Sequence, residues 1–429
     1  MAVIGGIIGS GIFLNPAIVA ARVGSVPLTL AAWIGGGVVA VLGAFIYGEL
    51  AARIPRVGGG YAYLREGFGP FPAFLYAWGL LLIIATGAIA AVAFTFASYA
   101  AVLFGLPASV VPWVAGAAIV VLTALNYVGV KPAAWTQNVL TVLKLAALGV
   151  LIVAGLLLTS TPAPLAGPIQ RLVTPHGVAP IAVALATAFV PVLFSYGGWQ
   201  QTNFIAEELV DAERNLPRAL MLGVATVVVV YLLANVAYLR VLGVGGLAAS
   251  AAPAADTMSA LLGPAGRKLI SVGILVSTLG FLDLVIMVSP RVYQAMAADG
   301  LFFASFARLH PRFRTPVAAI LAQGAWVCLL LATRTYGQLL DYVTFADWIF
   351  FGATAATLFV HRSREQGMAK TSGFRLPGYP WTVVLFILAA LYVVAGSIRS
   401  NPGNAVRGAL LLGAGIPVYA IWRSRRRLG

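Results

Sequence analysis

The chain has 429 residues, of which 61% are hydrophobic and 9% charged, and its mean hydropathy is +0.97. A soluble domain is closer to half apolar and a quarter charged, so this composition excludes a protein that folds in water. The net charge of +15 raises nucleic acid as a partner, and where the charges fall decides against it below.

Apolar runs between polar and proline–glycine punctuation predict twelve spans. They lie near 2–21, 27–51, 72–103, 109–127, 135–159, 180–207, 218–240, 268–291, 316–333, 337–360, 380–398 and 407–422. Runs of roughly 20 apolar residues are long enough to cross a bilayer as helices. The connecting segments are too short for a separate core, so 1–429 reads as one all-α polytopic transmembrane domain. The first twenty residues lack a basic n-region and their apolar stretch is split by glycines, so they count as a span rather than a signal peptide.

Sorted by alternate loops, Lys and Arg gather on one side. Arg53, Arg56 and Arg65 lie there, as do Arg308, Arg312 and Arg314, and the tail Arg423, Arg425, Arg426 and Arg427. This is the positive-inside bias, and it predicts cytoplasmic termini in a cell membrane. The basic tail reads as an anchor at anionic headgroups, with no nucleic acid as partner.

Two spans are interrupted. Span 1 carries Ile7-Ile8-Gly9-Ser10-Gly11-Ile12-Phe13 and span 6 carries Phe194-Ser195-Tyr196-Gly197-Gly198-Trp199. Unwound backbone at membrane depth survives only where protein or a water-filled cavity covers it. Small residues also mark tight helix contacts, but a second break in the matching span points to a substrate site. An offset of five spans sets the second half in the opposite orientation. The expected fold is therefore a LeuT-like 5+5 inverted repeat with helices 1 and 6 broken, the halves covering about 1–159 and 180–360, with two extra helices over 380–422.

At the first break, Gly9, Ser10 and Gly11 expose amides that carry partial positive charge and suit a carboxylate. At the second, free carbonyls of Phe194, Ser195 and Gly197 suit an ammonium. An anion site facing a cation site describes a receptor for a zwitterion, an α-amino acid. Phe13, Tyr196 and Trp199 flank the breaks and are expected either to gate or shape the pocket or to serve as ordinary packing.

Charges at depth come next, because they are expensive and mark ion or proton pathways. Lys144 lies well inside span 5, as a proton carrier or as a fixed cation holding span 5 against the first break; both disfavour a sodium ion there. Asp283, deep in span 8, is a candidate relay or permeation residue. Asp347 is expected nearer the outer end of span 10, as a gate. Glu207 and Glu208 close span 6 and are expected to partner basic loops. Cys328, the one cysteine, lies in an apolar run as a buried structural thiol. His176, His310 and His361 fall in connecting segments, so no metal site or other cofactor is expected.

These residues resemble a known group. Gly6 to Phe13 is similar to the first-helix motif of the amino acid–polyamine–organocation superfamily. Phe194 to Trp199, followed by Asn203-Phe204-Ile205-Ala206-Glu207-Glu208 and Asn215-Leu216-Pro217, resembles its L-type amino acid transporter branch. So do Pro55-Arg56-Val57-Gly58-Gly59-Gly60-Tyr61, Ser277-Thr278-Leu279-Gly280 and Phe374-Arg375-Leu376-Pro377-Gly378-Tyr379-Pro380. The resemblance implies that Ile7, Ser10 and Gly11 hold the substrate carboxylate and that Phe194, Ser195 and Gly197 hold its amino group. It further implies that Lys144 takes the place of a sodium ion. Gly197 stands where relatives selective for cationic amino acids tend to carry an aspartate, which favours neutral substrates. Eukaryotic members pair with a glycoprotein through a loop cysteine after the third span; Cys328 is in span 9, so no disulfide-linked partner is expected. Met1 precedes Gly9 by eight residues, a first half-helix of about 12 Å at 1.5 Å per residue. The resemblance implies a longer start, so a truncated or misassigned one is expected.

The sequence thus predicts sodium-independent secondary transport of neutral amino acids, by proton symport or exchange. The alternatives are a cationic amino acid or polyamine carrier, and a membrane amino-acid sensor with little flux. An intramembrane enzyme lacks a nucleophile–base pair at depth.

Overall fold

In lipid every backbone amide must be satisfied within its own segment, so apolar runs of this length become helices. The computed structural model describes residues 1–128, 131–159, 173–174, 177–178, 181–333, 336–364 and 373–425. The helices are α1 (Ala2–Ile7), α2 (Gly11–Val23), α3 (Val26–Arg53), α4 (Gly60–Phe68), α5 (Pro70–Gly79), α6 (Ala85–Phe104), α7 (Val111–Val128), α8 (Lys131–Leu157) and α9 (Ile181–Tyr196). A 3-10 segment, Trp199–Glu208, leads to α10 (Ala212–Ala249), α11 (Pro253–Ala298), α12 (Ala304–Ala307), α13 (Val317–Thr333), α14 (Tyr336–Arg364), α15 (Trp381–Ser400), α16 (Pro402–Gly413) and α17 (Gly415–Arg425). A two-residue pairing of Val173–Thr174 with Gly177–Val178 is the strand content among the described residues.

Ten of these stretches are long and apolar enough to cross a membrane, and Gly11–Val23 and Val317–Ala332 are shorter apolar helices. They correspond to the twelve predicted spans. α5 and α6 make one span of 35 residues, Pro70–Phe104, joined by a π-helical turn at Leu80–Ile84. Two helices outrun prediction: α10 has 38 residues and α11 has 46. Each contains a glycine with positive φ that interrupts the helix, Gly243 at 67° and Gly263 at 62°.

Spans 1 and 6 cross antiparallel along their whole length. Gly6 lies against Gly198, and Gly11 against Ser195. Asn15 Nδ2 donates to the Pro191 carbonyl at 2.9 Å and to Ser195 Oγ at 2.8 Å, and Arg22 donates to the Thr187 carbonyl. As the number rises in one span it falls in the other, which brings the two breaks level. Helix α8 packs close against α10 and α11 through small residues, with Gly155 on Ala237 and Gly273 on Ala147, the usual device where helices meet in lipid.

One polar cluster was not anticipated. Glu49 of α3 is fully buried and accepts from Arg53 Nε at 2.9 Å, Arg362 Nε at 2.9 Å and Nη2 at 2.6 Å, and the Leu376 amide at 2.8 Å. The Arg362 guanidinium also sits 4.0 Å over the Tyr379 ring. This clamp joins α3, α14 and the segment before α15. Removing one partner of a buried ion pair leaves the other charges uncompensated, at a cost of about 3 kcal/mol or more. Glu49→Ala should therefore lower the melting temperature of the purified protein in detergent well below that of Glu49→Gln; equal melting of Glu49→Ala and wild type would refute the clamp.

Two sequence expectations are corrected here. His361 is in the last turn of α14, half-buried, rather than in a connecting segment. Cys328 is half-buried, at an apolar groove between α7 and α13, rather than in the core. His176 and the Glu208 side chain lie outside the described residues.

Candidate substrate site

Helix α1 ends at Ile7, and Ile8 turns to extended backbone (φ −76°, ψ 90°). The chain stays unwound through Gly9 and Ser10 until α2 starts at Gly11. Gly9 N–H donates to the Ile7 carbonyl at 2.9 Å and Phe13 N–H to the Ser10 carbonyl at 3.1 Å, which leaves the Gly11 and Ile12 amides at the start of α2 without an intrahelical acceptor. The Ser10 side chain, 1% exposed, does not cap them, and its Oγ has no hydrogen-bond partner. On the facing span, α9 ends at Tyr196, and Gly198 takes φ 104°, a conformation that favours glycine, before the 3-10 segment begins. The tyrosines of α10 hold span 1 around its break: Tyr231 donates to the Ile7 carbonyl and Tyr238 to the Ile12 carbonyl, both at 3.2 Å.

All seven residues expected to touch substrate, Ile7, Gly9, Ser10, Gly11, Phe194, Ser195 and Gly197, line one cavity of about 50 Å³. A water occupies roughly 10–15 Å³ of such space, so the cavity holds about four waters' bulk. Some backbone groups there are already engaged. Gly197 N–H donates to the Phe194 carbonyl at 3.2 Å, and Ser195 Oγ donates to the Pro191 carbonyl at 2.7 Å. With Asn15 Nδ2 donating to it as well, the Ser195 hydroxyl is engaged within the protein.

Of the two expectations for the flanking aromatics, the structure shows packing. Phe13, Tyr196 and Trp199 do not line the cavity. Phe13 is fully buried in the helix core. Tyr196 turns toward α3 and α10, donating to the Trp33 carbonyl at 3.2 Å and packing on Trp33 and Tyr231. Trp199 stacks on Phe351 at 5.3 Å and meets Tyr47 edge-on at 4.8 Å. The aromatic residues on the cavity are Phe194, Phe204, Phe281 and Trp348. Phe281 packs against Gly9 so closely that an added Cβ would lie 3.0 Å from its ring. Neighbouring glycines mark a break, but which ring covers it depends on helix rotation, which the sequence does not display.

Lys144, 0% exposed at the middle of α8, does not line the cavity but braces its floor. Its Nζ donates to the carbonyls of Gly5 at 3.0 Å and Ile8 at 2.8 Å, at the frayed end of α1. A cation there complements the negative end of the half-helix. Ser277 Oγ lies 3.4 Å from the Ile8 and Gly9 carbonyls.

Asp283 stays off the cavity; it accepts from Asn126 Nδ2 of α7 at 3.0 Å, a partner the sequence could not supply. Asp347, expected toward the outer end of span 10, lines the central cavity. Glu207 accepts from the Val57 backbone amide at 3.1 Å, in the loop that carries Arg56.

A multi-span helical protein whose two unwound segments face each other across a small cavity belongs to the carriers, membrane transporters rather than enzymes. Residues 1–415 match the profile of the amino acid permease family, and the chain belongs to that family, within the amino acid–polyamine–organocation superfamily. It is 30% identical over 427 residues to the serine/threonine exchanger SteT of Bacillus subtilis (strain 168), covering 99% of this chain and 95% of that protein. It is 32% identical over 427 residues to the human large neutral amino acids transporter small subunit 2, covering 97% of this chain and 78% of the relative. With the mouse b(0,+)-type amino acid transporter 1 it shares 30% identity over 405 residues, 93% of this chain and 81% of that one.

Proposed function

We propose that this protein exchanges neutral amino acids across the cell membrane by alternating access, independently of sodium. The observation that carries the reading is the level, antiparallel pairing of the two helix breaks around one small cavity. There the Gly11 and Ile12 amides at the start of α2 and the Ser10 hydroxyl receive the substrate carboxylate, and the carbonyls of Phe194, Ser195 and Gly197 receive its ammonium. Halves over about 1–159 and 180–360 form the inverted repeats and rock about this point, with 380–422 as added helices and both termini cytoplasmic.

Lys144 acts as a fixed cation where a sodium ion would otherwise sit. Its ammonium is spent on two carbonyls at the end of α1, a bracing role that favours exchange over proton symport. The absence of a side-chain charge at Gly197 supports neutral substrates.

The test is uptake of radiolabelled amino acids into proteoliposomes, with and without sodium, an inward proton gradient and amino acid inside. Uptake should require internal amino acid and ignore both gradients. Uptake driven into empty vesicles by protons would replace exchange with symport, and tight binding without flux would make the protein a sensor.

A further inference from the structure

Between α7 and α13 the outer wall of the protein is hollowed. Thr123 of α7 and Gly324 of α13 meet so closely that a Cβ at Gly324 would stand 2.8 Å from Thr123 Oγ1. The exposed residues beside them, Ala124 and Ala325, are small and leave the crossing uncovered. The result is an apolar groove of about 490 Å³, with Val120, Tyr127, Leu321 and Cys328 among its walls. On α7 it runs from Ile119 to Val128, where the helix ends, about 13 Å at 1.5 Å per residue.

A cationic loop closes that end. The Tyr127 ring meets His310 edge-on at 5.7 Å and Phe313 at 6.1 Å, and Thr315 Oγ1 donates to the Tyr127 carbonyl at 3.1 Å. His310 Nδ1 accepts from the Arg312 and Phe313 amides, both at 3.2 Å, and the Arg312 guanidinium sits 5.5 Å over the Phe313 ring. Arg308, Arg312 and Arg314 are exposed on this loop and form no ion pair among the described residues. Neither 108–137 nor 300–333 contains an Asp or Glu, so the positive charge at the groove's end is not offset from within these segments.

We infer that the groove binds an anionic phospholipid, with an acyl chain lying between α7 and α13 and the head-group phosphate on Arg308, Arg312 and Arg314. Basic pockets between membrane helices at this level hold lipid head groups, and a guanidinium matches a phosphate with paired hydrogen bonds. A partner helix of about 10 Å diameter would take roughly 1,000 Å³ over the same length, twice the space, whereas an acyl chain is narrow and unbranched. The aromatic residues Tyr127 and Phe313 stand where chain gives way to head group, the depth that amphipathic rings favour.

Native mass spectrometry of the purified protein, mixed with equimolar dioleoyl-phosphatidylglycerol and dioleoyl-phosphatidylcholine, tests this. Phosphatidylglycerol should be retained about tenfold more often, and Arg308→Ala, Arg312→Ala and Arg314→Ala combined should bring that ratio close to one. Ala124→Phe, which sets a ring in the groove from an exposed position, should lower retention of both lipids severalfold. In the wild type Cys328, the only cysteine, reports occupancy without any substitution. Phosphatidylglycerol should slow its alkylation by N-ethylmaleimide at least fivefold, and phosphatidylcholine and inorganic phosphate should not. Equal retention of the two lipids, a ratio unmoved by the triple variant, or alkylation indifferent to lipid overturns the site. Protection by inorganic phosphate alone overturns it as well, leaving an anion site without a chain. Wild-type dimers that Ala124→Phe dissociates would give the groove to a second copy instead. None of these readouts is transport, so their failure leaves the proposed function standing.

Discussion

Replacing Gly11 with alanine should lower amino acid uptake by about ten- to a hundredfold while the protein still reaches the membrane. A Cβ at Gly11 would stand 2.6 Å from Ser195 Oγ and 2.7 Å from Ser195 Cα. The hydroxyl could turn aside, but the Cα belongs to the facing helix, so spans 1 and 6 would have to separate. Overpacking of this kind costs about 1–3 kcal/mol, and each 1.4 kcal/mol is tenfold in the population of the native crossing. Gly198→Ala should act alike, since that residue has φ 104° and its Cβ would run into the Gly6 carbonyl. Gly149→Ala, with open space around the new Cβ, is the control and should leave uptake unchanged. Proteoliposome uptake normalised to reconstituted protein measures all three, and wild-type uptake by Gly11→Ala would disprove the assignment of the breaks as the substrate site.

Lys144→Met should reduce uptake at least tenfold and lower the melting temperature. The thioether has the length of the lysine stem but cannot donate, so the Gly5 and Ile8 carbonyls lose their ammonium. Leaving a buried acceptor unsatisfied costs about 1–3 kcal/mol each, and the frayed end of α1 would relax away from the cavity. Lys144→Arg should not restore function. The guanidinium is a wide planar fork rather than a compact point charge, and α11 crowds the ammonium so that a Cβ at Gly280 would be only 3.4 Å from Nζ. Loss of activity confined to proton-driven uptake, with exchange intact, would instead make Lys144 a proton carrier.

What the sequence disclosed, and what it withheld, follows from the range over which each signal acts. The breaks were legible because glycine inside an apolar run is a local mark with a local cause, and seven residues chosen around them line one cavity. Lys144 was legible because a charge at mid-span has few meanings. Its carbonyl partners followed only when α8 was packed against α1. The choice between pocket and packing for the aromatics stayed open because flanking a break in sequence does not fix which way a ring points: Tyr196 is next to Gly197 yet faces Trp33. The start of span 10 was read to within a residue, but that Asp347 lines the central cavity depends on how α14 packs against the breaks, which position along a span does not display. Reading α10 and α11 as ordinary spans missed the stretches beyond Gly243 and Gly263, whose helical propensity the bends conceal. Glu49 carried no sequence signal at all, since an acid four residues before an arginine near a helix end reads as a surface pair.

The Glu49 clamp also bears on how the chain is made. Arg362 and Leu376 follow Glu49 by 313 and 327 residues. At about 5–20 residues per second of synthesis, a ribosome needs roughly 15–60 s to deliver Arg362. Through that interval Arg53, one helical turn away, is the escort that keeps the carboxylate neutralised as α3 settles in the bilayer. A nascent chain that stops before span 10 retains the acid and its escort but never receives the second guanidinium. The clamp therefore marks late assembly, and a quality-control system that senses polar groups at a membrane helix end would find an incomplete copy of this carrier at Glu49.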